Sequence, residues 1–273
     1  MKRLAVIGDP IGHSLSPLIH MTWIDTLGLD ASYESIRVPA GETEAALDDF
    51  THEGFTGLNV TLPHKQAVLA KATRTSDAVK AIGAANTLTR LSDGGWQADN
   101  TDAPGLTAAL ARLGLTDWAG KTILMLGAGG AARAGLFALD QAGAEIILLN
   151  RTVEKAQHIL GECCARQHRS GPLDDLAEVC GQADLVINTT SAGHGGSHIR
   201  LPSGDGRLFY DMSYGAPARP QLQHAGAQGW KTEDGLAMLV CQAAESFSIW
   251  FDGKRPDIEI ALAVCRAALE QDA

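Results

Sequence analysis

The sequence predicts an α/β protein of two domains, and three observations carry that prediction. From Lys121 onward, short leucine-rich and β-branched runs alternate with helix-length segments, the rhythm of a parallel sheet covered on both faces. The first hundred residues also alternate strand and helix patterns, but three polar clusters interrupt them. A chain of 273 residues, 45% apolar and only 20% charged, is long enough for two modest domains that each bury a core.

Taken in order, Arg3–Ile7 reads as a strand, Tyr33–Val38 as a second and Gly57–Val60 as a third. Between the first two, Ser16-Pro17 opens a helix carrying Leu18, Ile19, Met21, Ile24 and Leu27 near helical spacing. Proline suits a first helical position, and Ser16 is the expected N-cap. Thr87–Arg90 and Gly95–Ala98 flank Ser92-Asp93-Gly94, which predicts a hairpin. A helix start near Thr101–Pro104 marks the expected domain boundary. Buried-strand patterns follow at Thr122–Leu126, Glu145–Leu149, Asp184–Asn188 and Leu208–Met212. Two helices close the chain, Ala237–Phe251 and Asp257–Leu269, with Gly253 and Pro256 between them. Periodicity alone leaves open where they pack.

The net charge is −10. A nucleic-acid binder would show a basic stripe and a membrane-surface protein a polybasic face, and neither pattern is present. No run approaches the roughly 20 apolar residues of a membrane span, and Met1–Pro10 is broken too early to read as a signal peptide. The cysteines (Cys163, Cys164, Cys180, Cys241 and Cys265) are odd in number and form no CxxC pair, so no disulfide framework is expected. These features predict a cytoplasmic enzyme or small-molecule sensor without nucleic-acid or membrane partners.

Gly127-x-Gly129-x-x-Ala132 follows a strand and opens a helix, the context that a dinucleotide fingerprint requires. Gly127 permits the tight turn, Gly129 lets backbone approach a pyrophosphate, and small Ala132 allows close helix–sheet packing. Ala128, Gly130 and Ala131 complete a loop whose helix N-terminus offers N–H groups to phosphates. The competing reading, a glycine-rich packing turn, does not account for the second strand at the right distance. At the end of that strand an NAD enzyme places Asp or Glu, whereas this chain has Asn150-Arg151-Thr152-Val153-Glu154-Lys155. The acid is missing, and Arg151 with Lys155 supplies positive charge for a 2′-phosphate, so NADP is the expected cofactor. Alternatively Thr152 caps the next helix and both cations are solvated; the two readings are compatible.

The first polar cluster is His13-Ser14-Leu15-Ser16-Pro17, where two hydroxyls near a helix N-terminus suit a carboxylate. Ser16 as an ordinary cap and Ser14 as a loop residue is the alternative. In the second, Asn59-Val60-Thr61-Leu62-Pro63-His64-Lys65, strand alternation puts Asn59 and Thr61 on one side, with Lys65 just past a Pro-fixed turn. The third joins Asn86 to Asp99-Asn100-Thr101-Asp102. A lysine that gives a proton to a carbonyl needs an acid to orient it, and Asp102 is the partner expected for Lys65. A structural ion pair would look the same in sequence. Gln242, in an otherwise apolar helix, and Tyr214, just past a strand end where α/β sheets bind ligands, are weaker pointers.

Assembled, these residues resemble the shikimate dehydrogenase family. The matching strings are Ser14-Leu15-Ser16-Pro17, Asn59 to Lys65, Gly83-Ala84-Ala85-Asn86-Thr87, Asn100-Thr101-Asp102, Gly127 to Ala132 and Asn150-Arg151-Thr152. Asn188-Thr189-Thr190-Ser191-Ala192-Gly193, Asp234-Gly235 and Gln242-Ala243-Ala244 continue the match in family order over nearly the whole chain. The resemblance implies a substrate domain of residues 1–102 and 237–273 and a Rossmann-like, doubly wound NADP domain of residues 103–236. The C-terminal helices thereby return to the substrate domain. It implies that Ser14, Ser16 and Tyr214 hold a substrate carboxylate, and that Asn59, Thr61, Asn86, Asp102 and Gln242 hold ring hydroxyls. Lys65 with Asp102 would be the catalytic pair. Gly127 to Ala132, Asn150, Arg151, Thr152, Lys155, Thr190, Met212 and Gly235 would bind the cofactor. The implied activity is NADP-dependent reduction of 3-dehydroshikimate to shikimate, by a monomer or homodimer. Dual use of shikimate and quinate is the alternative, and a non-catalytic sensor of the same fold a lower one.

Two departures stand out. Lys155 replaces a second arginine that many members carry, and the Gly193–Pro202 loop follows no family string. His194 and His198 in that loop lie among glycines, not on a helix face, so a mobile loop at the cofactor's edge is expected there and no metal site.

Overall fold

The structure is a computed structural model and describes residues 1–271. Two six-stranded sheets organise two compact units. Among the described residues, one unit comprises residues 1–105 with 239–271, and the other runs from Leu106 to Met238.

The first unit begins with β1 (Lys2–Gly8), α1 (Ser16–Thr26), β2 (Ala31–Arg37), α2 (Thr43–His52) and β3 (Gly57–Val60). It continues through β4 (Ala72–Thr75), α3 (Asp77–Ile82), β5 (Thr87–Arg90) and β6 (Trp96–Asp99). The strand order is β2-β1-β3-β5-β6-β4, with β1 parallel to β2 and β3, and β5 antiparallel to β3 and β6. The β5–β6 pairing is the hairpin that Ser92-Asp93-Gly94 predicts. Its register sets Asn59 opposite Thr87 and Thr87 opposite Asp99, so one end of three neighbouring strands is polar. Below that row one face of the strands is apolar. Ile7, Leu58, Val60, Leu88 and Ala98 pack against Leu47 and Phe50 of α2.

The second unit opens in α4 (Asp102–Arg112) and proceeds through β7 (Thr122–Leu126), α5 (Gly130–Gln141), β8 (Glu145–Asn150), α6 (Val153–Cys163) and β9 (Arg169–Pro172). After α7 (Leu176–Val179) come β10 (Leu185–Asn188), β11 (Leu208–Asp211), α8 (Arg219–Ala227) and β12 (Lys231–Glu233). Every pairing is parallel, and the order β9-β8-β7-β10-β11-β12 is the 3-2-1-4-5-6 arrangement of doubly wound dinucleotide-binding sheets. Successive residues of β7 feed opposite faces: Ile123 and Met125 join the core under α5, Leu124 and Leu126 the core that holds Phe209 and Trp230. That double burial is why the strands read as continuous apolar runs rather than alternating ones.

The chain closes with α9 (Leu236–Trp250) and α10 (Ile258–Gln271). Within the first unit, the Trp250 indole donates to Leu88 O at 3.1 Å and the Trp23 indole of α1 to Asp257 O at 2.7 Å. The unit divisions fall inside α4 and α9, a few residues beyond the 102/103 and 236/237 boundaries that the family resemblance implies. Three strands have no counterpart in the sequence reading: β4, β9 and β12, each at the edge of its sheet.

Candidate active site

In the first unit the predicted residues converge at the polar strand ends. Lys65 Nζ donates to Asp102 Oδ2 at 2.5 Å, and the pair is largely buried, with 18% and 9% of the two side chains exposed. Asp102 follows β6 as the first residue of α4, and its N–H donates to Asn100 Oδ1. Its other oxygen, Oδ1, accepts from Asn86 Nδ2 at 2.9 Å. Asn86 Nδ2 also reaches Gln242 Oε1 at 3.0 Å, and the Asn86 carbonyl accepts from Asn59 Nδ2 at 3.1 Å. Lys65, Asp102, Asn86, Gln242 and Asn59 therefore form one bonded network. Gln242 additionally donates from Nε2 to Leu239 O at 2.8 Å, so it is both a buried amide with a backbone partner and a member of this network.

The two serines stand apart from that network. Ser14 Oγ accepts from Ser16 N at 3.3 Å. Helix α1 starts at Ser16 itself, with Leu15 in the N-cap position and no side-chain cap. The expectation that Ser16 caps the helix is thus corrected: its hydroxyl closes no backbone N–H, and Ser14 supplies the oxygen nearest that role. Ser16 is instead a neighbour of the Tyr33 phenol, whose pKa burial pushes well above its usual range while a bond to Ser16 opposes the shift. Tyr33 donates to Asn59 Oδ1 at 2.7 Å, a partner the sequence reading missed. Thr61 is half-buried just past β3, with its N–H on Ile7 O. His64, in the same motif, is a clasp: Nε2 meets Val38 O at 2.7 Å and Nδ1 meets Thr43 Oγ1 at 2.8 Å.

In the second unit the fingerprint loop lies where the strand order reverses, between β7 and β10. Gly127 has φ +99°, and a Cβ there would press on Thr189 and Thr190 at the end of β10. Ala128 N donates to Asn150 Oδ1 at 3.2 Å, and Asn150 Nδ2 donates to Thr152 O at 2.9 Å, which joins the loop to the turn after β8. Thr152 occupies the N-cap position of α6 without a side-chain capping bond. Arg151 and Lys155 are exposed and make no ion pair among the described residues. Gly129 precedes α5, and neither it nor Gly130 has an atom within 4 Å of where a Cβ would stand. Ala131 is half-buried and Ala132 fully buried beneath the loop. Thr190 bonds Asn188 Oδ1 at 2.8 Å, and Met212 N donates to Asn188 O at 2.9 Å. A Cβ on Gly235 would collide with the Met212 carbonyl, so that position admits only glycine. Tyr214 belongs to this unit, after β11. A glycine cradle, the N–H groups of a helix start and two cations with no ion-pair partner among the described residues fit a phosphorylated dinucleotide.

One other cluster of ligand-type groups is found among the described residues, Asp140, Cys164 and His168. Ile146 N–H donates to His168 Nδ1 at 3.3 Å, so Nε2 carries the ring proton and donates to Asp140 Oδ1 at 2.9 Å. Burial works to raise the Asp140 carboxyl, yet bonds from Ala165, His168 and Arg166 outweigh it and hold the group below its usual range. The Cys164 thiol is pushed up to about 12, chiefly by burial. With its lone pairs committed and its thiol protonated, the cluster clasps the end of α5 rather than binding a metal. The His194 side chain lies outside the described residues, and the His198 ring lies 4.6 Å from that of His224.

A doubly wound sheet with this cradle, in a chain that also holds a buried lysine–aspartate pair, defines a nicotinamide-dinucleotide-dependent oxidoreductase. Residues 6–88 match the shikimate dehydrogenase substrate binding domain, 109–196 the shikimate/quinate 5-dehydrogenase model and 235–266 the shikimate 5′-dehydrogenase C-terminal domain. The chain belongs to the shikimate dehydrogenase family. A shikimate dehydrogenase (NADP(+)) of Hyphomonas neptunium is 43% identical over 98% of this chain and 97% of its own length. The shikimate 5-dehydrogenase of Thermus thermophilus, solved with NADP(H) and shikimate, is 35% identical at TM-score 0.84 and covers 98% of this chain and 100% of its own. A Listeria monocytogenes shikimate 5-dehydrogenase solved with shikimate and NAD is 27% identical at TM-score 0.83, covering 97% of this chain and 96% of its own.

Proposed function

We infer that this chain catalyses the reversible, NADP-dependent reduction of 3-dehydroshikimate to shikimate, a step toward chorismate and the aromatic amino acids. The single observation that carries the site assignment is the relay Asn86–Asp102–Lys65, bonded end to end at 2.9 and 2.5 Å. When bound, the reduced nicotinamide supplies a hydride to the ketone carbon. Lys65 gives its proton to the oxygen that develops negative charge, and its ammonium stabilises that charge meanwhile. Asp102 holds the ammonium in place and, with Asn59, Thr61, Asn86 and Gln242, takes the ring hydroxyls. Ser14, Ser16 and Tyr214 take the carboxylate. Gly127, Ala128, Gly129, Gly130, Ala131 and Ala132 carry the pyrophosphate, Asn150, Arg151, Thr152 and Lys155 the 2′-phosphate end, and Thr190, Met212 and Gly235 complete the cofactor site.

A cytoplasmic location and a monomer or homodimer belong to the same reading. No described helix is long and apolar enough to cross a membrane. The decisive experiment is a cofactor-absorbance assay of shikimate and quinate, each with NADP and NAD. Shikimate with NADP is expected to give the highest kcat/KM. Comparable turnover of quinate would establish the dual-substrate reading, since a site discriminates strongly on a hydroxyl only where it is built to pair that hydroxyl. No turnover of either substrate would overturn the assignment.

A further inference from the structure

Behind the side chains assigned to the substrate lies a second row of hydroxyls. Ser246 stands on α9 one turn beyond Gln242 and has no exposed surface. Serine in an apolar helix ordinarily turns its hydroxyl back onto the preceding turn, and Ser246 Oγ does lie 3.2 Å from Gln242 O. Here, however, three other segments also meet it. Asn59 Nδ2 donates to Ser246 Oγ at 3.0 Å, Thr87 Oγ1 lies 2.7 Å away and Thr101 Oγ1 3.0 Å away.

Proton counting shows what those contacts hold. Asn59 Oδ1 is taken by the Tyr33 hydroxyl, so its Nδ2 must face Asn86 O and Ser246. Asn86 Oδ1 accepts from Thr101 N at 2.7 Å and from Thr87 Oγ1 at 3.1 Å, so its Nδ2 must face Asp102 and Gln242. Ser246 therefore touches Asn59 directly and reaches Asn86 through Thr87 and Thr101. Its own hydrogen bonds go to neither Lys65 nor Asp102.

We propose that Ser246 is a positioning residue: its hydroxyl ties α9 to the ends of β3 and β5 and to Thr101, and so keeps the Asn59 and Asn86 amides aimed at substrate and at Asp102. This rests on the assignment of Lys65 and Asp102 as the catalytic pair. A buried serine that merely filled space would stabilise the fold without tuning the reaction.

The test compares Ser246→Ala and Ser246→Cys with the wild-type full chain, with rates normalised to sites titrated by NADPH and with Lys65→Ala as a control. Both Ser246 variants are expected to lose about 10-fold in kcat/KM for shikimate, with the KM for NADP unchanged. Cysteine fills the volume of serine but hydrogen-bonds weakly. Wild-type kinetics in Ser246→Cys would reduce the residue to packing and overturn the proposal, even if Ser246→Ala failed to fold. A deficit that disappears on normalisation would mean lost folded enzyme and would overturn it too. Normal turnover in Lys65→Ala would remove the catalytic assignment itself, a failure visible separately from the Ser246 result.

Discussion

The two units prepare for their ligands in contrasting ways. In the first, the groups proposed to recognise substrate are side chains, already bonded to one another from Tyr33 through Asn59 and Asn86 to Asp102 and Lys65. In the second, the proposed recognition falls to backbone and to side chains that are absent, with open space above Gly129 and Gly130 and two cations without ion-pair partners among the described residues. Bonded neighbours couple, so substitutions in the first unit should act through the network and fail to add. Changes in the second should stay local and separable by cofactor.

The strongest test of that contrast is Lys65→Ala. Loss of a general acid costs roughly 10²- to 10⁴-fold, so turnover should fall by at least two orders of magnitude with little change in KM for shikimate. Steady-state kinetics on the folded variant check it, and near-normal turnover would show the Lys65–Asp102 pair to be structural. Arg151→Ala should raise the KM for NADP by about 10- to 150-fold, the worth of one charge-assisted bond, and leave that for NAD nearly unchanged. Equal losses with both cofactors would assign Arg151 to folding or adenine stacking.

Gly129→Ala sharpens the contrast further. Its φ of −94° is ordinary and its Cβ would meet nothing, so the melting transition should not move. The methyl nonetheless occupies the cradle, and the Kd for NADP, measured calorimetrically, should rise about 10-fold if backbone must approach the pyrophosphate. A variant that binds NADP normally would place the phosphates elsewhere.

His20 probes the first unit through pH. The ring is fully buried, stacked 4.2 Å from Tyr33, and its pKa is lowered from 6.5 to about 3 by burial, with Asn59 opposing. Between those values the unfolded chain binds a proton at His20 that the folded chain does not. Stability is therefore lost as pH falls through that window, by up to about 1.4 kcal/mol per unit. His20→Phe should flatten the acid limb of a denaturant-melt series, and an unchanged limb would locate the proton uptake in other groups. The smallest effect is the reversal at α1. Ser14→Ala should cost about 0.5–1 kcal/mol of stability, whereas Ser16→Ala should cost little, because only Ser14 Oγ accepts a backbone N–H at the helix start. Both should weaken shikimate binding if both hydroxyls hold its carboxylate.

What the sequence determined by itself is whatever rests on local pattern. The buried strands β7, β8, β10 and β11 were legible because double burial leaves continuous apolar runs, and the Gly127 loop because its strand and helix neighbours are adjacent in chain order. Asn150-Arg151-Thr152 at the end of β8 was legible for the same reason. The edge strands were not: β4, β9 and β12 are three or four residues long and carry Arg74, Arg169, Pro172 or Lys231, as edges do to avoid further pairing. Nor was the start of α1, since Leu15, Ser16 and Pro17 can each begin a helix, and backbone dihedrals choose among them. The bonds around Asn86 were decided by tertiary structure alone. Ser246 is unremarkable as a letter, Thr87 and Thr101 are only members of polar strings, and only the β3–β5–β6 register and the return of α9 bring their hydroxyls within 3.4 Å of one another. Hydrogen bonds reach about 3 Å in space and disregard separation along the chain, so a network drawn from four segments leaves no periodic trace in any of them.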